Sequence, residues 1–530
     1  MIMAGSIKKF RVLITTAGVG QKFGEITNYT NSALIRVGKK PALSYVIEAY
    51  PKDTELVISV GHFGDQIKDF VKLVYPDRKI IFTESKYWTT PKASLGASMY
   101  EARELLQQPF IFQAGDTLVD EKIPEPIVNW NGGYKGTDAS KYRSFRVVGN
   151  SLQGINDKGS LDFDYLHIGL VGVHDYELFW KKLSWLLEKT KFGPVSDCDV
   201  IGSMLYETKF SLQEFSSWLD VGDVESLGKA REKIKDKFSN LDKLGESIYL
   251  FKDIVVKFYA DKKTVSDRIK RAKHLTGVVP KDIVSLGNFY SYKYVEGETF
   301  PHVATVDNFK KLLAWLNREL WRPVRETSSQ KFHQACYKFY YTKTLQRVES
   351  FMKSNLLEDS QHIINGVKVP SFAQIIKQID FDKLCTTDQR TFHGDLVLDN
   401  IVKTNNGFVL LDWRQDFGGL TKAGDMYYDL AKLNHGLVIN HDIINKNLYS
   451  VEVDNGSVKC DILRRDSVVR CQKILDQFLK WESLDKSKID VLTGLVWLNM
   501  SPLHHHPFNL FLYFYGKLQL WQALQERNLN

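Results

Sequence analysis

From residue 11 to about 235, short apolar runs alternate with stretches of helical spacing. Arg11–Thr16 reads as a strand that enters a glycine turn, and Glu55–Val60 is a second run, followed by Gly61 and a helix over Gln66–Val74. Pro109–Gln113 is a third, closing on Gly115 and Asp116. Strands separated by crossover helices predict an α/β domain with a mostly parallel, doubly wound sheet. Such a sheet takes its ligands outside the carboxyl ends of its strands, where these turns fall. Gly228–Leu244 is charged, helical in pattern, and runs into a linker. Beyond it, Ser247–Phe251 and Ile254–Tyr259 are two apolar runs around a turn, the pattern of an antiparallel hairpin. From about 305 long amphipathic helices take over. Two domains follow, 1–237 and 238–530, because a chain of 530 residues exceeds what one hydrophobic core serves.

Composition removes several alternatives. The net charge of +8 is spread over 71 basic and 63 acidic residues. That balance suits anionic ligands such as nucleotides and lacks the concentrated basic stripe that binding to nucleic acid demands. The five cysteines (Cys198, Cys336, Cys385, Cys460, Cys471) are scattered and show no CxxC spacing, which argues against a disulfide framework or a zinc knuckle and for a reducing compartment. Near the N-terminus an apolar run follows two lysines, but Thr15, Thr16 and glycines break it, so it reads as a first strand rather than a signal peptide. No stretch reaches the roughly 18 apolar residues of a membrane span; Phe508–Tyr515 stops short. A cytoplasmic protein is expected, and homo-oligomerisation is left open.

Candidate chemistry lies in two places. Leu13–Gly24 reads LITTAGVGQKFG, a glycine-rich turn directly after a strand, where backbone N–H groups can approach phosphates because no Cβ intervenes. Asp116 ends another strand, and Asp220 sits in Trp218–Leu227, WLDVGDVESL. Together these resemble the sugar-phosphate nucleotidyltransferase superfamily, including the bacterial phosphocholine cytidylyltransferases, over residues 11–235. That family opens on AGxGxRxxxxT, kept in part by Ala17, Gly18, Gly20, Gly24 and Thr27, and Gly38–Pro41 resembles its GKP turn. Lys92–Ala102 (KASLGASMYEA) is similar to its base-contacting segment, and WLDVGDVESL to its WxDVGTPESL. The resemblance implies a Rossmann-like domain with nucleotide contacts at Ala17, Gly18, Gly20 and Ser94. It also implies Lys22 at the phosphates and Mg²⁺ on Asp116 and Asp220. Lys22 replaces the usual arginine, and Ser32 stands where the family has a lysine.

The strongest signal is Phe392–Asn400, FHGDLVLDN, followed by LLDW at Leu410–Trp413. An aspartate, an asparagine five residues later and a second aspartate after a strand are the equipment of phosphoryl transfer. Asp395 would receive the acceptor's proton, while Asn400 and Asp412 would hold Mg²⁺ on ATP; His393 is expected to brace the loop. The segment resembles the aminoglycoside phosphotransferase and choline kinase family across 238–530, as do Gly424–Leu433 (GDMYYDLAKL) and Tyr292–Gly297 (YKYVEG). The resemblance implies a bilobal, protein-kinase-like α+β domain with Lys257, in IVVKFY, at the ATP phosphates. No GxGxxG loop precedes Ser247, and the helix after Lys257 has no glutamate, leaving Asp267, Glu296 or Glu298 as partners for the lysine.

His504, His505 and His506 point in different directions along the chain and carry no metal reading. A kinase makes a phosphate monoester that a nucleotidyltransferase consumes. The order implies a bifunctional enzyme that takes ATP and CTP, phosphorylates an alcohol of choline, ethanolamine or polyol type, and makes a CDP-alcohol for decorating surface polysaccharide or lipid. Two alternatives are a sugar 1-kinase joined to a nucleotide-sugar pyrophosphorylase, and a chain in which one lobe is a sensing module.

Overall fold

The unbroken apolar run Val12–Ile14 belongs to a strand covered on both faces. Arg11–Thr15 pairs in parallel with Glu55–Val60 on one side and Phe110–Ala114 on the other. Val12 and Ile14 enter one core with Leu34, Val46 and Phe70; Leu13 enters the opposite one with Phe110, Phe179 and Val200. This is the alternation a pleated strand imposes. The computed structural model describes residues 10–86, 88–90, 92–234 and 243–529. Among them, Ile80–Glu84, Glu55–Val60, Arg11–Thr15 and Phe110–Ala114 form the parallel half of a nine-stranded sheet.

The other half departs from the expected parallel sheet. Tyr165–Val173 runs antiparallel to Phe110–Ala114 and to Trp130–Tyr134, and Ser144–Val148 turns directly back into Ser151–Asn156. Only Ser211–Glu214, beside Trp130–Tyr134, restores a parallel pair there. The reason is local: Gly149, at φ +61°, and Asn150 close a tight hairpin, whereas parallel neighbours need a long crossover. The sheet is therefore mixed, and the parallel description holds for its first four strands.

The chain separates into two units. One ends at Lys262 and takes in Val284–Ser291; the other comprises Lys263–Ile283 and the chain from Tyr292 onward. The boundary expected at 237 lies outside the described residues. Glu246–Leu250 and Ile254–Tyr259 pair antiparallel, and with Phe289–Lys293 and Val284–Leu286 they make a four-stranded sheet. Tyr249, Val256, Phe258 and Phe289 of that sheet are buried in the same core as Ile58 and Phe70. The rings of Phe70 and Tyr249 meet edge to face at 5.6 Å, and Tyr249 Oη donates to the Leu34 carbonyl at 2.7 Å. Residues beyond the linker thus complete the core of the first unit.

The second unit is mainly helical. Met426–Val438 is buried along nearly its whole length and packs on Lys486–Met500, which in turn packs on Phe508–Leu529. The last contact is close: a Cβ on Gly494 would lie 2.8 Å from that of Leu520. Ile401–Thr404 and Gly407–Leu410 form a hairpin directly after the FHGDLVLDN segment. No helix among the described residues is long and apolar enough to cross a membrane.

Tyr249→Phe removes the hydroxyl that donates to the buried Leu34 carbonyl and should cost the first unit about 1–3 kcal/mol. Urea unfolding of the full chain, compared with wild type, reads this as an earlier first transition.

Candidate functional site

In the first unit the glycine turn is held from beneath. Thr16 N donates to the Ser59 carbonyl (2.9 Å) and His62 N to the Ala17 carbonyl (3.0 Å). The buried Asn31 amide donates to the carbonyls of Thr16 (2.8 Å) and His62 (2.6 Å), tying the turn to the next strand. Gly20 takes φ +68°, and a Cβ there would fall 2.8 Å from the Ser32 Cβ, so neither space nor backbone admits a larger residue. The turn forms one wall of a cavity of about 610 Å³ lined also by Lys22, Ser32, Trp88, Ser94, Asp116 and Gly222. Ser94 faces this cavity and also caps Leu95–Glu101, its hydroxyl accepting from Ala97 N at 3.2 Å.

Asp116 and Asp220 are brought together by backbone pairing. Leu219–Asp220 lies antiparallel to Thr117–Leu118, with Asp220 opposite Thr117, and Val221 N donates to the Asp116 carbonyl at 3.0 Å. Both carboxylates border Gly222, where a Cβ would sit 2.7 Å from Asp116 Oδ2 and 3.1 Å from Asp220 Oδ1. Gly222 N donates to Asp220 Oδ1 (2.8 Å) and Tyr142 Oη to Asp220 Oδ2 (2.7 Å). The Asp116 side chain is exposed toward the cavity, with protein on its other sides. Desolvation by the protein around it first, then the charge of Asp220, pushes its carboxyl up to about 6, against the pull of its own backbone N–H and of Lys22. Two carboxylates beside one glycine, one of them lining the cavity, fit a divalent cation of the oxygen-seeking kind.

In the second unit the FHGDLVLDN loop hangs from one carboxylate. Asp429 accepts from His393 N (2.7 Å), Gly394 N (2.6 Å) and Trp321 Nε1 (3.1 Å), all buried. Burial nonetheless pushes Asp429 up to about 6. Asp395 is half-buried, and Lys432 Nζ lies 2.8 Å from its Oδ1. Burial works to raise the Asp395 carboxyl, but the charge and hydrogen bond of Lys432 outweigh it and hold Asp395 well below the ordinary carboxylate range. Asn400 Nδ2 donates to the Asp395 carbonyl (2.9 Å) and reaches its Oδ2 at 3.4 Å. Leu411 N donates to the Asn400 carbonyl (2.7 Å) and Arg414 N to that of His393 (3.0 Å), which fixes Asp412 beside the loop. Asp412 takes the left-handed φ of +58°, a strained backbone for a non-glycine residue. Arg268 approaches its Oδ1 at 3.9 Å.

Lys257 is buried on Ile254–Tyr259, opposite Ile248, and belongs to the first unit, whereas Asp395, Asn400 and Asp412 belong to the second. Asp267 is engaged by Lys263 and, at 3.5 Å, by Lys270 on its own helix.

No protein-family model matches the chain, and no curated protein does. Solved structures similar to its N-terminal part include the CTP:phosphocholine cytidylyltransferase LicC of Streptococcus pneumoniae, at 15% identity and a TM-score of 0.36, covering 42% of this chain and 98% of that one. The inositol-1-phosphate CTP transferase of T. maritima is similar at 14% identity and 0.35, covering 43% and 98%. A UDP-glucose pyrophosphorylase from Acinetobacter baumannii is similar at 14% and 0.36, covering 43% and 95%. Likeness at this level decides neither fold nor chemistry, which rest on the geometry above.

Several residues of these sites carry no assignment from sequence. Tyr142 and Trp88 lie in segments without a motif. Asp429 and Lys432 sit inside GDMYYDLAKL, i and i+3 on one helix face, a spacing that marks them as neighbours. Gly222 is legible in hindsight as the glycine of WLDVGDVESL that two aspartates flank.

Because the Asp116 carboxyl titrates near 6 in the folded chain and at the ordinary 3.8 otherwise, its ionised form costs stability above pH 6 and nothing below about pH 4. Asp116→Asn should therefore melt higher than wild type at pH 8 in chelator. The difference should shrink as pH falls through 6 and vanish near 4, as scanning calorimetry across that range will report.

Proposed function

We propose that the chain is a bifunctional enzyme, a nucleotidyltransferase in its first unit and an ATP-dependent small-molecule kinase centred on Asp395. The observation that carries the reading is the meeting of Asp116 and Asp220 over Gly222, at the rim of a cavity walled by a glycine-rich turn. A nucleoside triphosphate suits that cavity: its phosphates lie against the N–H groups of Ala17–Gly20 and Lys22, and its base extends toward Ser94. A phosphate monoester then attacks the α-phosphorus in line and pyrophosphate departs. CTP is the proposed nucleotide.

Mg²⁺, held by Asp116 and Asp220 in one unit and by Asn400 and Asp412 in the other, would neutralise phosphate charge as it develops. The side chains do the rest. Lys432 keeps Asp395 ionised at neutral pH, so the carboxylate can orient an acceptor hydroxyl and take its proton as the new bond to phosphorus forms. Asp429 fixes where that carboxylate stands by gripping the two preceding backbone N–H groups. The kinase step makes the monoester that the other step consumes, and the final product is a nucleotide-diphospho-alcohol of the kind used to decorate surface polysaccharide or lipid.

The test is a pair of variants. Asp395→Asn should lower ADP formation by about 10²–10⁴-fold and leave pyrophosphate release from CTP and a preformed phospho-alcohol unchanged. Asp116→Asn should do the reverse. ADP formation that survives Asp395→Asn would remove the kinase half of the reading. A lack of pyrophosphate release from every triphosphate and monoester tried would remove the other.

A further inference from the structure

Four cations cluster beside Asp395: Lys432 and Arg414 act on that carboxylate, and Lys343 and Arg347 crowd against them. Ser329–Tyr337 and Lys343–Asn355 are joined without a break by a wide π turn, Lys338–Thr342, a local distortion often found at functional sites. Past that turn, Lys343 Nζ lies 4.1 Å from the centre of the Phe339 ring, and the Arg414 guanidinium lies 5.0 Å from the same ring. Arg347, one turn further along, donates to the Asn499 carbonyl at 3.2 Å. The fourth cation is Lys432, already paired with Asp395. The Arg414 stem rests on the catalytic loop, since a Cβ on Gly394 would be 2.7 Å from the Arg414 Cβ.

Compensation for this charge is thin. Asp395 is taken by Lys432, and Asp416, the other carboxylate acting on Lys343, also accepts Gly419 N at 2.8 Å. Among the described residues, no carboxylate lies within ion-pair distance of Lys343, Arg347 or Arg414, and Arg414 Nε is buried with no hydrogen-bond partner. Burial, and then repulsion from Arg414, Arg347 and Lys432, pushes the Lys343 ammonium well down; burial and Arg414 act likewise on Arg347. Clustered, half-buried cations without a carboxylate to neutralise them lower stability, so the presence of Lys343, Arg347 and Arg414 near a proposed base calls for an anion that arrives with a ligand. The kinase reading gives the ATP phosphates to Asn400 and Asp412, neither of them on the helix that carries Lys343 and Arg347.

We propose that the alcohol phosphorylated at Asp395 is itself an anion, a hydroxyl compound bearing a phosphate or carboxylate that Lys343, Arg347 and Arg414 grip. The proposal rests on the kinase reading above and names its substrate class. In the step, the acceptor oxygen bonds to the γ-phosphorus, its proton passes to the Asp395 carboxylate, the bond from γ-phosphorus to the bridging oxygen breaks, and ADP leaves. A choline-type cation is repelled from this wall, whereas an acidic polyol is drawn to it and oriented by its charged end.

The full chain, saturated with Mg²⁺ and a non-hydrolysable ATP analogue, is titrated calorimetrically with glycerol 3-phosphate, glycerate, glycerol and choline, and the same compounds are then offered as acceptors with ATP. The anionic pair should bind and be phosphorylated in preference to the other two. Lys343→Met and Arg347→Gln should each weaken anion binding by roughly 30-fold or more and leave affinity for the ATP analogue unchanged. Lys343→Met should also melt higher than wild type without ligand, a rise that distinguishes a binding cation from a structural one. Anion binding unaltered in both variants, or lost together with the nucleotide analogue, overturns the proposal. Glycerol or choline phosphorylated better than either anion, with the activity abolished in Asp395→Asn, overturns it and leaves the kinase standing. Phosphorylation of any acceptor that is undiminished in Asp395→Asn takes both down.

Discussion

Two carboxylates that repel each other are held side by side by backbone they cannot escape. Asp116 lies in the turn just before Thr117–Leu118 and Asp220 ends Leu219–Asp220, and the antiparallel pairing of those two strands sets their separation before any ligand arrives. Desolvation first, and then the charge of Asp220, displaces the Asp116 carboxyl upward. Everything around the cavity answers to that constraint: Gly222 must lack a Cβ because both acids close over it, and Tyr142 spends its hydroxyl steadying Asp220. A site arranged this way stores an electrostatic cost that a cation repays on binding.

The second unit solves the same problem with the opposite device. There the carboxylate proposed as the base, Asp395, is given its own counter-ion, Lys432, and a separate buried acid, Asp429, positions the loop. The acid on the loop and the acid on the helix that holds it consequently differ in kind. Asp429 is shifted toward its neutral form by burial, while Asp395 is locked into its ionised one. Environments that drive neighbouring acids apart are how a fold separates a positioning role from a chemical one.

How much of this the sequence disclosed follows from chain distance. The turn at Ala17–Gly20 and the loop at His393–Asn400 are contiguous, so their spacing can be read directly. The parallel half of the sheet is legible because Arg11–Thr15, Glu55–Val60 and Phe110–Ala114 are dense apolar runs. Trp130–Tyr134 and Ser211–Glu214 are not: WNGGY and SLQE have little β-branched character, and their place is set by partners rather than propensity. The cation cluster was invisible for another reason. Lys343, Arg414 and Lys432 stand on three separate segments, and only their packing around Phe339 and Asp395 gives them a common meaning.

The strands at 246–259 and 284–291 seal the core of the unit that precedes them. A polypeptide terminated in the linker would be left with Phe70 and its neighbours facing water, stripped of Tyr249, Val256, Phe258 and Phe289. Such a fragment would be sticky and poorly folded even though every motif of its own chemistry was present.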